Sequence, residues 1–143
     1  MKTNNYHIIL ILLLLVSLLV SCNQDTKETK LETLISVMHN LSLNIAEDEP
    51  LIETTHFAYN SDNKTFLLGL TFNGQGVPSI DQQKKIFETY LTKATVSATD
   101  IDNWRIALKD YSVSFEHLLH DNKSNVLATK EINSESIEYN SSE

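Results

Sequence analysis

The chain opens with one apolar block and then changes to short periodic segments. Ile8 to Val20 is almost unbroken in apolar residues, stops at Ser21-Cys22, and is followed by the polar run Asn23 to Lys30. Behind it, Leu31, Leu34, Ile35, Met38 and Leu41 recur at helical spacing, which predicts an amphipathic helix from about residue 30 to Asn44. Thr29-Lys30-Leu31-Glu32 reads as its capping box, and Pro50 closes the segment. Thr55, Phe57 and Tyr59 alternate with His56, Ala58 and Asn60. After the turn Asn60-Ser-Asp-Asn-Lys64, Phe66, Leu68, Leu70 and Phe72 alternate back, so this is a hairpin. Gly69 falls on the opposite face from those four and marks a bulge or a close approach.

The pattern then repeats in outline. Ser79-Ile80-Asp81-Gln82 is a second capping box, opening a helix with Ile80, Ile86, Phe87, Tyr90, Leu91 and Ala94 on one stripe. Asp100 is placed to cap a short helix carrying Ile101, Trp104 and Leu108. A second hairpin follows, with Tyr111, Val113 and Phe115 outbound, a turn at His120 to Asn125, and Val126, Ala128 and Ile132 returning. Both hairpins turn at Asp-Asn-Lys, and each follows a helical region, which suggests an α-β-β unit used twice. The expected fold is α+β: a four-stranded antiparallel sheet of two hairpins with two or three helices on one face. The expected divisions are a leader (1–21), a polar tether (22–29), one domain (30–137) and a frayed tail (138–143).

The apolar block is shorter than the roughly 20 residues a spanning helix needs, and matches the h-region of a secretory leader after the basic Lys2. No small-residue A-x-A site ends it. Leu19-Val20-Ser21-Cys22 instead resembles the lipobox of bacterial lipoproteins. That resemblance implies cleavage between Ser21 and Cys22, with Cys22 becoming lipidated. The single cysteine agrees, since no intrachain disulfide can form. Two or more acyl chains hold a protein firmly, whereas one does so only marginally. Asn23 after the cysteine implies the outer membrane, on its periplasmic side or at the cell surface. The Asn- and Lys-rich style is similar to lipoproteins of Bacteroidetes, and the domain resembles small envelope lipoproteins with tandem α-β-β units. No active residues carry over from them.

Charge narrows the partners. The chain has 11 basic and 19 acidic residues, a formal charge of −8, and losing residues 1–21 would remove Lys2 and no acid. An acidic surface without a basic stripe argues against nucleic acid and against attachment through anionic head groups, leaving the lipid on Cys22 as the membrane link.

Little catalytic chemistry is written in the chain. His117 and His120 with Glu116 and Asp121 suggest a metal site, but imidazoles three apart on a strand diverge. Glu47-Asp48-Glu49 lacks the spacing of a calcium loop. There is no nucleophile elbow, and Gly74-Gln75-Gly76 lacks the rest of a phosphate loop. The expectation is a non-enzymatic protein without metal or cofactor. Its candidate docking surface for a protein partner is the polar sheet face with His56, Asn60, Thr71, Ser114, Glu116 and Thr129. The alternative is a small-ligand or glycan module feeding an outer-membrane transporter, with a pocket between sheet and helices lined by Trp104, Tyr90 or Tyr111. Tyr59 and Tyr139 are further aromatic candidates.

Overall fold

The structure is a computed structural model, and it describes residues 27–74, 76–120 and 123–140. Ser21 and Cys22 lie outside the described residues. The chain divides into a unit ending at Thr33 and a second unit, Leu34–Glu143. A first helix, α1, covers residues 27–48. It begins ahead of the expected capping box, so Thr29 is a helical residue whose carbonyl accepts from Thr33 Oγ1 (2.8 Å). Residues 27–29, read as tether, are therefore helical.

The second unit contains strand β1 (Ile52–Asn60), β2 (Thr65–Phe72), helix α2 (Ile80–Thr99), the short α3 (Trp104–Ala107), β3 (Ser112–Leu118), β4 (Ser124–Lys130) and β5 (Glu138–Tyr139). Ser79 caps α2 as the sequence predicts, with both halves of the capping box made. Asp100 does something else. It terminates α2 in a left-handed conformation (φ 57°), and Asn103 is the residue that caps α3, its Oδ1 accepting from the Arg105 amide at 3.0 Å.

The sheet is five-stranded and mixed, in the order β1-β2-β3-β4-β5. The expected four-stranded antiparallel arrangement needs two corrections. First, β2 and β3 pair in parallel, Thr65 opposite Ser112 through Leu70 opposite His117. A 20-residue helix lies between them. At about 1.5 Å per residue it carries the chain back along the sheet, so β3 re-enters in the direction of β2. Second, Glu138 and Tyr139, read as part of a frayed tail, pair with Thr129 and Ala128 of β4.

Alternation sorts the sheet into two faces. Phe66, Leu68, Leu70, Val113, Phe115 and Ala128 are buried on the helix side. Phe87 of α2 stacks on Phe115 at 4.0 Å, and Tyr90 meets the same ring edge-on. From α1, His39 approaches Phe57 (5.7 Å), and the Ser42 carbonyl accepts from Thr55 Oγ1 (2.6 Å). Both long helices thus cover the same face, and among the described residues no helix covers the other.

Two strand pairs depart from simple alternation, β1–β2 between Ile52 and Thr54 and β3–β4 further along. A bulge between Phe115 and Glu116 opposes Ala128 and then Val126, so that Leu127 is the extra residue. Val126 and Ala128, expected on one face, point to opposite ones: Ala128 is buried and Val126 is 41% exposed. Ile132, expected to continue that face, lies past the strand and is also exposed.

Candidate functional site

The open face is built by the strands that the sequence already shows alternating. His56 stands opposite Gly69, Gly69 opposite Glu116, and Glu116 opposite Val126, which makes one row across four strands. Neighbouring rows carry Thr71 and, across the β3–β4 pair, Ser114 opposite Thr129. The structure therefore brings the six expected residues onto one face, with Asn60 at its turn end. There Asn60 Oδ1 accepts from the Asp62 amide (2.9 Å), so this side chain is committed to the hairpin turn.

Glu116 is the centre of the arrangement. Its Oε1 accepts from Ser114 Oγ at 3.1 Å and its Oε2 from Ser124 Oγ at 2.6 Å. Two hydroxyls so orient a half-buried carboxylate whose register partner on β2, Gly69, has no side chain. A Cβ at Gly69 would lie 2.8–3.0 Å from Leu118, which leans across the glycine. The close approach anticipated at Gly69 is thus made by Leu118. Leu118, Ser124 and Val126 belong to this face and escaped sequence reading. Leu118 shares strand parity with Ser114 and Glu116 and could have been found, whereas the bulge conceals Val126.

The histidines do not gather. His117 lies on the helix side of the sheet, its ring 5.1 Å from Phe72, and burial lowers its pKa below the usual value. His56 is on the opposite face by register, and His120 is exposed. Asp121 falls outside the described residues. Among the described residues no three His, Cys, Asp or Glu side chains are placed to hold a metal ion.

The aromatic candidates are packed into the protein, and of the three expected to line a pocket Tyr90 alone borders one of two surface hollows. Trp104 is 2% exposed, with the Arg105 guanidinium 4.2 Å from its ring. Tyr90 donates its hydroxyl to the Met38 carbonyl (2.7 Å), and burial raises its pKa. Tyr111 and Tyr59 flank the fully buried Phe66 at 5.3 and 4.7 Å. Burial raises the pKa of both, and Tyr59 and Asp110 push that of Tyr111 further. Tyr139 stacks parallel to Phe87 (6.4 Å), and its pKa is pushed up to about 12, first by burial and then by Glu88. The larger surface hollow, ≈ 580 Å³, is an open groove between α1 and α2 bordered by Leu41, Thr92, Lys93 and Val96. Tyr90 borders only a smaller neighbour of ≈ 40 Å³, and Trp104 and Tyr111 border neither.

Lys130 is a buried charge that the sequence did not flag. It is 0% exposed, and its Nζ donates to the carbonyls of Leu108 (2.6 Å), Tyr111 (2.8 Å) and Glu131 (3.0 Å). Three donors meet three acceptors, which ties the end of β4 to the turn between α3 and β3. Burial lowers its pKa, while Asp110 and Glu131 oppose that shift. An ammonium so enclosed is a structural clamp.

The fold and site define a small α+β domain with one covered and one open sheet face. No protein family, characterised protein or solved structure matches the chain. Among the described residues no helix is long and apolar enough to cross a membrane.

Proposed function

We propose that the chain is a lipid-anchored bacterial envelope lipoprotein, non-enzymatic, whose domain docks a protein partner on the open sheet face. The observation that carries the docking reading is the row His56–Gly69–Glu116–Val126. It combines a held carboxylate, a glycine overlain by Leu118 and an exposed apolar residue on a face that the described helices do not cover. Glu116 gives the partner its chemistry: a protein surface presenting an arginine or lysine to a carboxylate already oriented by Ser114 and Ser124. The lipid anchor rests on the lipobox Leu19-Val20-Ser21-Cys22 and would restrict the domain to the outer membrane, on either side of it.

Two measurements test the reading separately. Cys22→Ala should abolish acyl incorporation and leave an unprocessed precursor; normal maturation of the variant would remove the anchor from the proposal. For docking, the chain from Asn23 onward is crosslinked in envelope extract beside Glu116→Lys and, as a control on the opposite side of the domain, Lys93→Glu. A partner captured by the wild type and the control, and lost with Glu116→Lys, is the expected result. Equal capture by all three would place docking elsewhere.

A further inference from the structure

The two edges of the sheet differ sharply. At one end β5 is two residues long, too short to template another strand. At the other, β1 presents nine residues with no lysine and no proline, and its one formal charge, Glu53, sits in the irregularity between Ile52 and Thr54. Thr54 to Asn60 is an uncharged stretch in a chain with a net charge of −8. Proteins usually blunt such an edge with lysine, proline or a covering element.

The direction of its free backbone groups follows from one contact. The Thr54 amide donates toward β2, to Thr71 Oγ1 at 3.0 Å. Alternation along the strand then turns the N–H and C=O of Thr55, Phe57 and Tyr59 to the free side. Their side chains are half-buried on the helix face. Above that edge, α1 sets His39 against Phe57, and Leu43, one turn further along the same flank, is 57% exposed.

We propose that β1 pairs antiparallel with β1 of a second copy of this chain, about a two-fold axis at Phe57, with the two Leu43 flanks meeting above the joined sheet. The strand is self-complementary in this register. Phe57 faces Phe57, Thr55 faces Tyr59, His56 faces Ala58 and Thr54 faces Asn60, so no pair sets like charges together. Thr55, Phe57 and Tyr59 supply roughly six backbone hydrogen bonds across the axis, and the aromatic pair adds cross-strand packing. A foreign strand would need no such symmetry. A second copy is the occupant because the same neutral sequence satisfies both sides, as a two-fold interface requires. The acidic remainder of each copy opposes association through solvent, and salt screens that repulsion.

The test uses the full chain in a mild detergent, its protein mass read by light scattering. Twice the chain mass is expected at tens of micromolar, with the dimer strengthening as salt rises from about 0.05 to about 0.5 M. A monomer throughout would overturn the proposal. His56→Lys combined with Ala58→Lys puts lysine opposite lysine twice across the axis. It should weaken dimerisation at least about tenfold while the far-ultraviolet circular dichroism stays unchanged; an undiminished dimer would overturn the register. Should the double variant fail to fold, Phe57→Cys decides. A short bismaleimide is expected to link two copies of that variant and not two copies of the wild type, which carries only Cys22. No link at position 57 would refute the two-fold axis.

Discussion

Replacing Lys130 by methionine isolates the clamp, because methionine keeps an unbranched apolar stem and removes the ammonium. Three carbonyls lose a donor, but not equally. The Leu108 carbonyl keeps the Tyr111 amide (3.1 Å) and the Glu131 carbonyl keeps the Ser134 amide (3.0 Å). Among the described turns and loops the Tyr111 carbonyl has no such second donor. An orphaned buried acceptor costs about 1–3 kcal/mol, and hydrogen bonds to a charged donor contribute about 1.5–3 kcal/mol each. Against this stands the relief of an ammonium that burial disfavours, the reason its pKa is lowered. The net expectation is a loss of about 2–4 kcal/mol. Urea unfolding of the chain from Asn23 onward, followed through the fluorescence of the buried Trp104, measures it. The midpoint should fall while the slope stays constant. A change below about 0.5 kcal/mol, or a gain, would refute the clamp. The pH dependence is a second check. A lysine whose folded pKa lies below its unfolded one binds fewer protons when folded, so stability rises with pH between those two values. The wild type should therefore gain on Lys130→Met as pH climbs toward that of a free lysine.

The remaining predictions concern packing, a cap and titration. Gly69→Ala drives a methyl group into Leu118 and should cost about 1 kcal/mol, a penalty that disappears in a Leu118→Ala background; an equal cost in both would mean that Leu118 is not the obstacle. Ser79→Ala removes the hydroxyl that caps α2 and should lower stability by about 1 kcal/mol in the same urea assay. Tyr139 and Tyr90 have folded pKa values raised by burial, so the stability they confer is intact below pH 10 and is lost as pH rises through their folded values. Unfolding midpoints should fall from pH 10 upward, and less steeply in Tyr90→Phe; a flat profile would contradict the burial of both phenols.

Local pattern carried much of the fold. The Ser79 capping box, the alternation of β1 through β3 and the polar set on the open face all follow from neighbours within a few residues. Each depends on a helical or strand period that no distant contact has to supply. The same reading went astray where one residue changes the count. The extra Leu127 turns Val126 outward, and a three-residue offset makes Asn103 the cap of α3 in place of Asp100. For Tyr90 and Trp104 the pattern leaves the use open, because an aromatic at helical spacing looks the same in a core and beside a cavity. Only the Met38 carbonyl and the Arg105 guanidinium show how they are used.

Local sequence pattern was enough for the main helices, for the two hairpins and for the alternation of β1 to β3, and composition set the acidic, glycine-poor character of the chain. The sequence also placed an apolar block ahead of Ser21-Cys22. Tertiary structure decided the rest: the parallel seam of β2 and β3, the addition of β5, the glycine hollow under Leu118 and the carbonyl cage of Lys130. These join residues distant in the chain. Burying surface stabilises them against the entropic cost of closing the loops between them, and no local period records that balance.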